Sequence, residues 1–353
     1  MKKILLFLIS FNLFCNNISY GIEIFVKSIQ KPAGTNFIHA PSIVEVGSGV
    51  FLAAFYAGSE FHAPDTKIYI ARYEQDTWSA SSVVASSDEV TTNLPSTTSK
   101  RPGETPCWDP ALCMVGNTVF LFYKIGESPS SWTGFLKRSS DGGKTWSKGE
   151  MLARYGVVGP HKNKPVLLPD GSLVCPSARS SWQSWTGYAD ILQNAGTANE
   201  TWKAAGPLTY EDPASGILQP TIFFDRDNNL RMLFRTKNLP FLCSTKSSDG
   251  GVTWSKPELT TLQSNDSCCD AVTLRNKHVL LVYNDLPAGD RYKLDLAISD
   301  DGGTTWKNIV VLEQGKDKEK HICFPAIIQA SDDAVHVLYV YNYENITHVR
   351  LKS

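Results

Sequence analysis

Six times along the chain a short apolar run, a turn cluster and a second apolar run follow one another: "HAPSIVEVGSGVFLAAFY", "WDPALCMVGNTVFLFYK", "NKPVLLPDGSLVCPSAR", "LQPTIFFDRDNNLRMLFR", "CDAVTLRNKHVLLVYN" and "CFPAIIQASDDAVHVLYV". Runs of this length, rich in β-branched and aromatic residues and hinged on Val-Gly-Ser-Gly or Pro-Asp-Gly-Ser, are the sequence form of a β-hairpin. After each hairpin a polar connection leads to a third run, such as Ile68 to Arg72 or Leu294 to Ile298. A second repeat interleaves with the first. "SSDGGKTWS" (139–147), "SSDGGVTWS" (247–255) and "SDDGGTTWK" (299–307) share Ser-x-Asp-x-Gly-x-Thr-Trp, and Thr77-Trp78 and Thr201-Trp202 keep its end.

Four strands per unit of about 50 residues, written six times, predict an all-β, six-bladed β-propeller with four antiparallel strands per blade. The blades are expected to start near residues 38, 107, 162, 217, 268 and 322, within one domain spanning 22–353. Because the sixth unit runs out of chain near Ser353, the segment 22–30 is expected to pair into the last blade and close the ring. The Asp-Gly-Gly turns need no ligand to explain them. The aspartate caps backbone N–H groups, the glycines supply positive φ, and the tryptophan packs between sheets.

Composition narrows the function without choosing it. Lys plus Arg (34) nearly cancels Asp plus Glu (35), so no overall field recruits nucleic acid or an anionic membrane. The start, "MKKILLFLISFNLFCNNISYG", puts Lys2 and Lys3 before an apolar run from Ile4 to Phe14 and ends on Ser19-Tyr20-Gly21. That is a secretory leader pattern, with cleavage expected after Gly21 and a secreted or periplasmic mature chain; the run is too short to span a membrane. Phe14 makes Cys15 a poor lipidation site. The other seven cysteines (107, 113, 175, 243, 268, 269 and 323) include no C-x-x-C pair and read as core residues. No metal site or cofactor is expected, and the oligomeric state is not legible. Asn199, Asn265 and Asn345 begin glycosylation sequons.

In a propeller the innermost strands start at one rim of the central channel. Reading those starts off the hairpins gives His39-Ala40, Trp108-Asp109, Asn163-Lys164, Leu218-Gln219, Cys269-Asp270 and Cys323-Phe324. A polar pocket at that rim is expected. Lys124, Arg235 and Asn284 end the second strands and should emerge nearby. Glu60 and Asp65 lie in the connection "YAGSEFHAPDTK" and Arg291 in "DLPAGDRYK", loops carried on a rigid scaffold.

With "HAPSIVE", "GSEFHAPD", "GPHKNKP", "QPTI" and "DAVTL" added to the Asp-Gly-Gly repeats, nearly the whole chain resembles the sialidase superfamily, in its BNR-repeat or predicted-neuraminidase branch. The resemblance implies a pocket for the carboxylate of an acidic sugar, with Arg235 and Arg291 matching two of three family arginines and Asp65 the acid/base aspartate. His39 stands where the first arginine would be, Gln219 where a glutamate would be, and Phe324 nearest the nucleophilic tyrosine. Phenylalanine cannot attack, so a tyrosyl intermediate would need Tyr339 or Tyr341 to approach.

Three functions follow as expectations, all with a glycan or glycoconjugate carrying an acidic sugar as partner. A hydrolase would use Asp65 to protonate the leaving oxygen and Asp109 or Asp270 to activate water or attack, with Arg235, Arg291, Lys164 and His39 holding the acid. A β-eliminating lyase would draw on His39, His161, Tyr339 and the arginine pair. A glycan-binding propeller would need none of these to move a proton.

Overall fold

The computed structural model describes residues 23–89, 103–181, 184–212 and 214–352. The leader segment 1–21 lies outside them. The described chain forms six antiparallel sheets arranged as the blades of a propeller, with only two short 3-10 turns as helix. The innermost strands are Phe37–Gly47, Cys107–Val115, Val166–Leu167, Gly216–Phe224, Asp270–Thr273 and Ile322–Gln329. Glu23–Gln30 pairs along its whole length with Asn345–Lys352, so the sixth blade takes its outermost strand from the other end of the chain.

The third blade departs from the expected start near residue 162. Pairing begins only at Val166, because Lys162 takes a left-handed backbone (φ 75°) and the side chain of Asn163 bonds to Pro220 O and Cys269 O of the next two blades, both at 2.9 Å. Residues 157–165 therefore run as an ordered, irregular segment across the channel mouth.

Each Asp-Gly-Gly turn is built as its sequence suggests. Asp141 Oδ1 accepts from the N–H groups of Lys144 (3.0 Å) and Thr145 (2.9 Å), Oδ2 accepts from the Thr145 hydroxyl, and the Trp146 indole donates to Gly143 O. Asp249 and Asp301 repeat the aspartate bonds, which hold both carboxyls down at about 2; Trp254 repeats the indole bond, whereas the Trp306 indole N–H is buried without a partner among the described residues. The second glycine of each turn, at φ of 85° to 91°, also lies against the preceding blade. A Cβ there would meet Leu52, Val174 or Phe223. The turns are interblade packing on the outer face, remote from the channel mouth.

One glycine couples a blade strand to the mouth. A Cβ on Gly134, in the strand Thr133–Ser139, would sit 2.0 Å from the carbonyl oxygen of Val158 and could not be relieved by a side-chain rotation. Gly134→Ala is expected to cost about 1–3 kcal/mol in urea unfolding, with the larger part of the strain falling on segment 157–161. A loss below a few tenths of a kcal/mol would show that this segment yields freely.

Candidate functional site

Four innermost strands carry the same local device. Ala40, Asp109, Gln219 and Phe324 each precede a proline and each has positive φ, from 42° to 54°. At each the strand pairing slips, between His39 and Ser42, Trp108 and Ala111, Leu218 and Thr221, and Cys323 and Ala326. Left-handed backbone is costly for non-glycine residues and doubly so before proline, and a bulge re-aims the side chains beside it. Here it turns His39, Trp108, Asp109, Gln219 and Phe324 out of the strands into one cleft.

The cleft has a volume of about 470 Å³ at one mouth of the channel. Its floor is a hydrogen-bonded chain. Arg235 Nη1 donates to Gln219 Oε1 (2.8 Å), Gln219 Nε2 donates to Asp109 Oδ2 (3.0 Å), and His161 Nε2 lies 3.3 Å from the same carboxylate oxygen. Its walls are aromatic. Trp132 meets His161 edge to face at 5.0 Å, Trp108 packs on Trp132, Trp185 covers the Arg235 guanidinium at 4.8 Å, and Phe61 and His62 come from the loop after the first hairpin.

Burial alone would push the Asp109 carboxyl up, but the hydrogen bond from His161, the positive charge that His161 and His39 gain in acid, and the hydrogen bond from Gln219 hold it below its usual range. It is therefore the buried anion of the site. Burial lowers His161 against the pull of Asp109, leaving a neutral imidazole at neutral pH. With Nε2–H directed at Asp109, the Nδ1 lone pair is free, and Nδ1 is buried without a hydrogen-bond partner among the described residues. An unpartnered basic nitrogen on a cleft-lining imidazole backed by a carboxylate is an arrangement that can accept a proton.

His39 is not a substitute cation. Burial pushes its pKa down to about 3, and its Nδ1 pairs with the Tyr56 hydroxyl at 3.0 Å while its ring lies between Phe324 and Tyr343. Any hold of His39 on a substrate acid would therefore be a hydrogen bond from a neutral imidazole. Tyr56 lines the cleft because it occupies the register of Lys124 and Arg235: His39 faces Tyr56, Trp108 faces Lys124 and Leu218 faces Arg235. That equivalence was present in the sequence at the end of "FLAAFY".

Other expected residues lie elsewhere. Lys124 is fully buried behind the cleft and donates to Pro160 O at 2.5 Å; burial lowers it to about 8. Its part is to hold the segment that carries His161, aided by Asp190, which accepts from the N–H groups of Val158 and Gly159. Asp270 and Lys164 pair at 2.9 Å within the axial channel, where Asp270 also accepts from Thr221 Oγ1 and Ile327 N. Asn284 is buried and donates to Lys293 O and Ile322 O. Tyr339 donates to Glu313 between blade strands and does not reach the cleft. Glu60 and Asp65 are exposed on the loop that supplies Phe61 and His62; Asp65 does not line the cleft but accepts from the N–H and hydroxyl of Ser59. Arg291 stands beside the cleft and donates to Asp266 O at 2.9 Å. Tyr341 is not among the lining residues either.

The seven cysteines described are all free and buried, and no cluster of three or more metal-ligating side chains occurs among the described residues. Asn265 is buried with its amide on Asp290 O, so its sequon is closed to a glycan. No helix among the described residues is long and apolar enough to cross a membrane.

The fold is shared widely. A Dyadobacter fermentans protein of unknown function superposes with a TM-score of 0.73 at 16% identity, over 94% of this chain and 99% of that one. The Hadza microbial sialidase Hz136 superposes with 0.71 at 16% identity, over 92% and 67%. The intramolecular trans-sialidase of Ruminococcus gnavus gives 0.69 at 13%, over 90% and 95%. At such identities these similarities speak for the propeller alone. No curated protein matches the sequence. Residues 49–337, however, match the profile of the BNR repeat-like domain, and with most of the chain inside that match the protein belongs to the BNR repeat-like family.

Proposed function

We propose that the protein is a sialidase-like exo-glycosidase that acts on a terminal acidic sugar of a glycan, with the Asp109–His161 pair as its proton-moving centre. The observation that carries this reading is a neutral His161 with an unpartnered Nδ1, backed by a buried carboxylate and lining a cleft that also holds a guanidinium. Arg235 would take the sugar carboxylate by charge-assisted hydrogen bonds, and Trp108, Trp132 and Trp185 would pack on the sugar faces. In hydrolysis His161 Nδ1 removes a proton from water, the water oxygen bonds to the anomeric carbon, and the glycosidic C–O bond breaks. The leaving oxygen takes its proton from Asp65, which needs the 59–66 loop to turn inward. No tyrosyl intermediate is invoked at Phe324.

A second reading, β-elimination on a uronate, is favoured by one specific observation: among the described residues the cleft lining contains a single carboxylate, Asp109, together with the neutral Tyr56–His39 pair. There His161 would remove the proton α to the carboxylate while Arg235 stabilises the developing charge, and Tyr56 would protonate the leaving oxygen. The leader pattern Lys2 to Gly21 supports work outside the cytoplasm.

The test is the mass of the products from sialylated and uronate-capped oligosaccharides incubated with the mature chain. Hydrolysis is expected to add one water across the products. Products summing to the substrate mass, with the ultraviolet band of an unsaturated uronate, would replace hydrolysis by elimination, and binding without any product would leave a lectin-like protein.

A further inference from the structure

Arg235 in the cleft and Arg291 beside it, two described guanidinium groups placed for a substrate acid, already share a carboxylate-bearing residue of the protein itself. Asp266 Oδ1 lies 3.3 Å from Arg235 Nη2, and the backbone carbonyl of the same residue accepts from Arg291 Nη2 at 2.9 Å. The Asp266 carboxylate is weakly held. Its Oδ1 is buried but has no hydrogen bond of good geometry among the described residues, while its side chain as a whole keeps 45% exposure. The Arg235 side chain, at 12% exposure, is by contrast fixed by Gln219 on one edge and Trp185 on its face, with Nε unpaired. The movable partner of the pair is the aspartate.

We infer that Asp266 is a resident competitor for the substrate carboxylate, a specificity-determining residue that occupies Arg235 in the empty cleft and must swing to water when an acidic sugar enters. This rests on the acidic-sugar reading above. Two like charges cannot share one guanidinium edge, so binding an acid includes the work of breaking the Arg235–Asp266 pair, whereas a neutral sugar leaves that pair intact. Asp266 thereby lowers selectivity for acids and raises the rate at which an acidic product leaves.

The test uses Asp266→Asn, an isosteric change suited to the left-handed backbone at this position (φ 59°). Binding of N-acetylneuraminate, glucuronate and neutral galactose is followed by tryptophan fluorescence, with Arg235→Ala as the control and thermal melting to confirm folding. Asp266→Asn is expected to bind at least one acidic sugar about tenfold more tightly, with galactose unchanged and the acid off-rate slowed. Equal or weaker acid binding would overturn the proposal and make Asp266 an orienting support of Arg235. Arg235→Ala indistinguishable from wild type, or no acid binding by any form, would overturn the acidic-sugar reading itself, and the two failures are separable in one series.

Discussion

Asp109→Asn is expected to lower turnover about 10³-fold while leaving the fold and sugar binding nearly intact. Asparagine is among the few residues at ease with the φ of 42° at this position, so the bulge survives. Its amide oxygen still accepts from Gln219 Nε2, which preserves the link to Arg235. What is lost is the charge facing His161. Asp109 would stabilise the imidazolium that forms when His161 Nδ1 takes a proton; a neutral amide whose oxygen still accepts from Gln219 and from His161 Nε2–H keeps the geometry but supplies no such charge. The measurement is the initial rate on the best glycan substrate, with a melting curve and sugar binding on the same sample. Unchanged turnover would remove the pair from the chemistry and return attention to the loop bearing Asp65.

Acid is expected to open the ring at its closing seam. The Trp78 indole of the first blade donates to His348 Nδ1 (3.2 Å), and His348 Nε2 lies 2.9 Å from His336 Nδ1, both histidines belonging to the sixth blade. Since the indole can only donate, the chain fixes both imidazoles as neutral, each accepting at Nδ1. Phe51 of the first blade lies against His336, and Arg350, Asp332 and Glu45 are the charges nearby. Burial, reinforced by Arg350 against Asp332 and Glu45, lowers His336 to about 4, and burial, reinforced by His336 and Arg350, lowers His348 to about 3.

Both values lie below the ordinary 6.5, so between that pH and the folded values the unfolded chain binds more protons than the native one. Stability is therefore full above about pH 6.5 and falls as acid is added, by about 1.4 kcal/mol per pH unit for each histidine that must stay neutral. His39, also held near 3, adds to the slope. Urea midpoints between pH 7 and pH 4 measure it. His348→Gln keeps an acceptor for Trp78 and a donor for His336 but does not titrate, so its stability should fall less steeply by about 1.4 kcal/mol per unit. Parallel profiles for the two proteins would show that acid acts elsewhere.

The site was partly legible in the sequence. His39, Asp109, Gln219 and Arg235 could be named because the residues before each blade-opening proline recur in register, and because a hairpin partner follows at fixed distance. Lys164 and Asp270 were grouped with them by the same alignment, yet they face the axial channel. Asp270 has no proline after it and no left-handed backbone, so its side chain stays in strand register. Lys164 does precede a proline, but the left-handed residue of that blade is Lys162, two positions earlier. The aromatic lining from Trp132 and Trp185 and the approach of Asp266 to Arg235 depend on loops of different blades meeting over the channel, and no local pattern encodes that.

By itself, then, the sequence determined the propeller, its six hairpins and its interblade turns, since period-2 patterning, turn chemistry and a repeat near 50 residues are local properties that each unit carries whole. The ring also explains why a strand at the beginning of the chain completes the last blade. Only the tertiary structure decided the charge and direction of the groups at the mouth. His39 is neutral because Tyr56, Phe324 and Tyr343 pack around it, and His161 is set against a carboxylate because Asp109 arrives from a neighbouring blade. Protonation state is set by burial and by partners distant in sequence, and those exist only once the ring has closed.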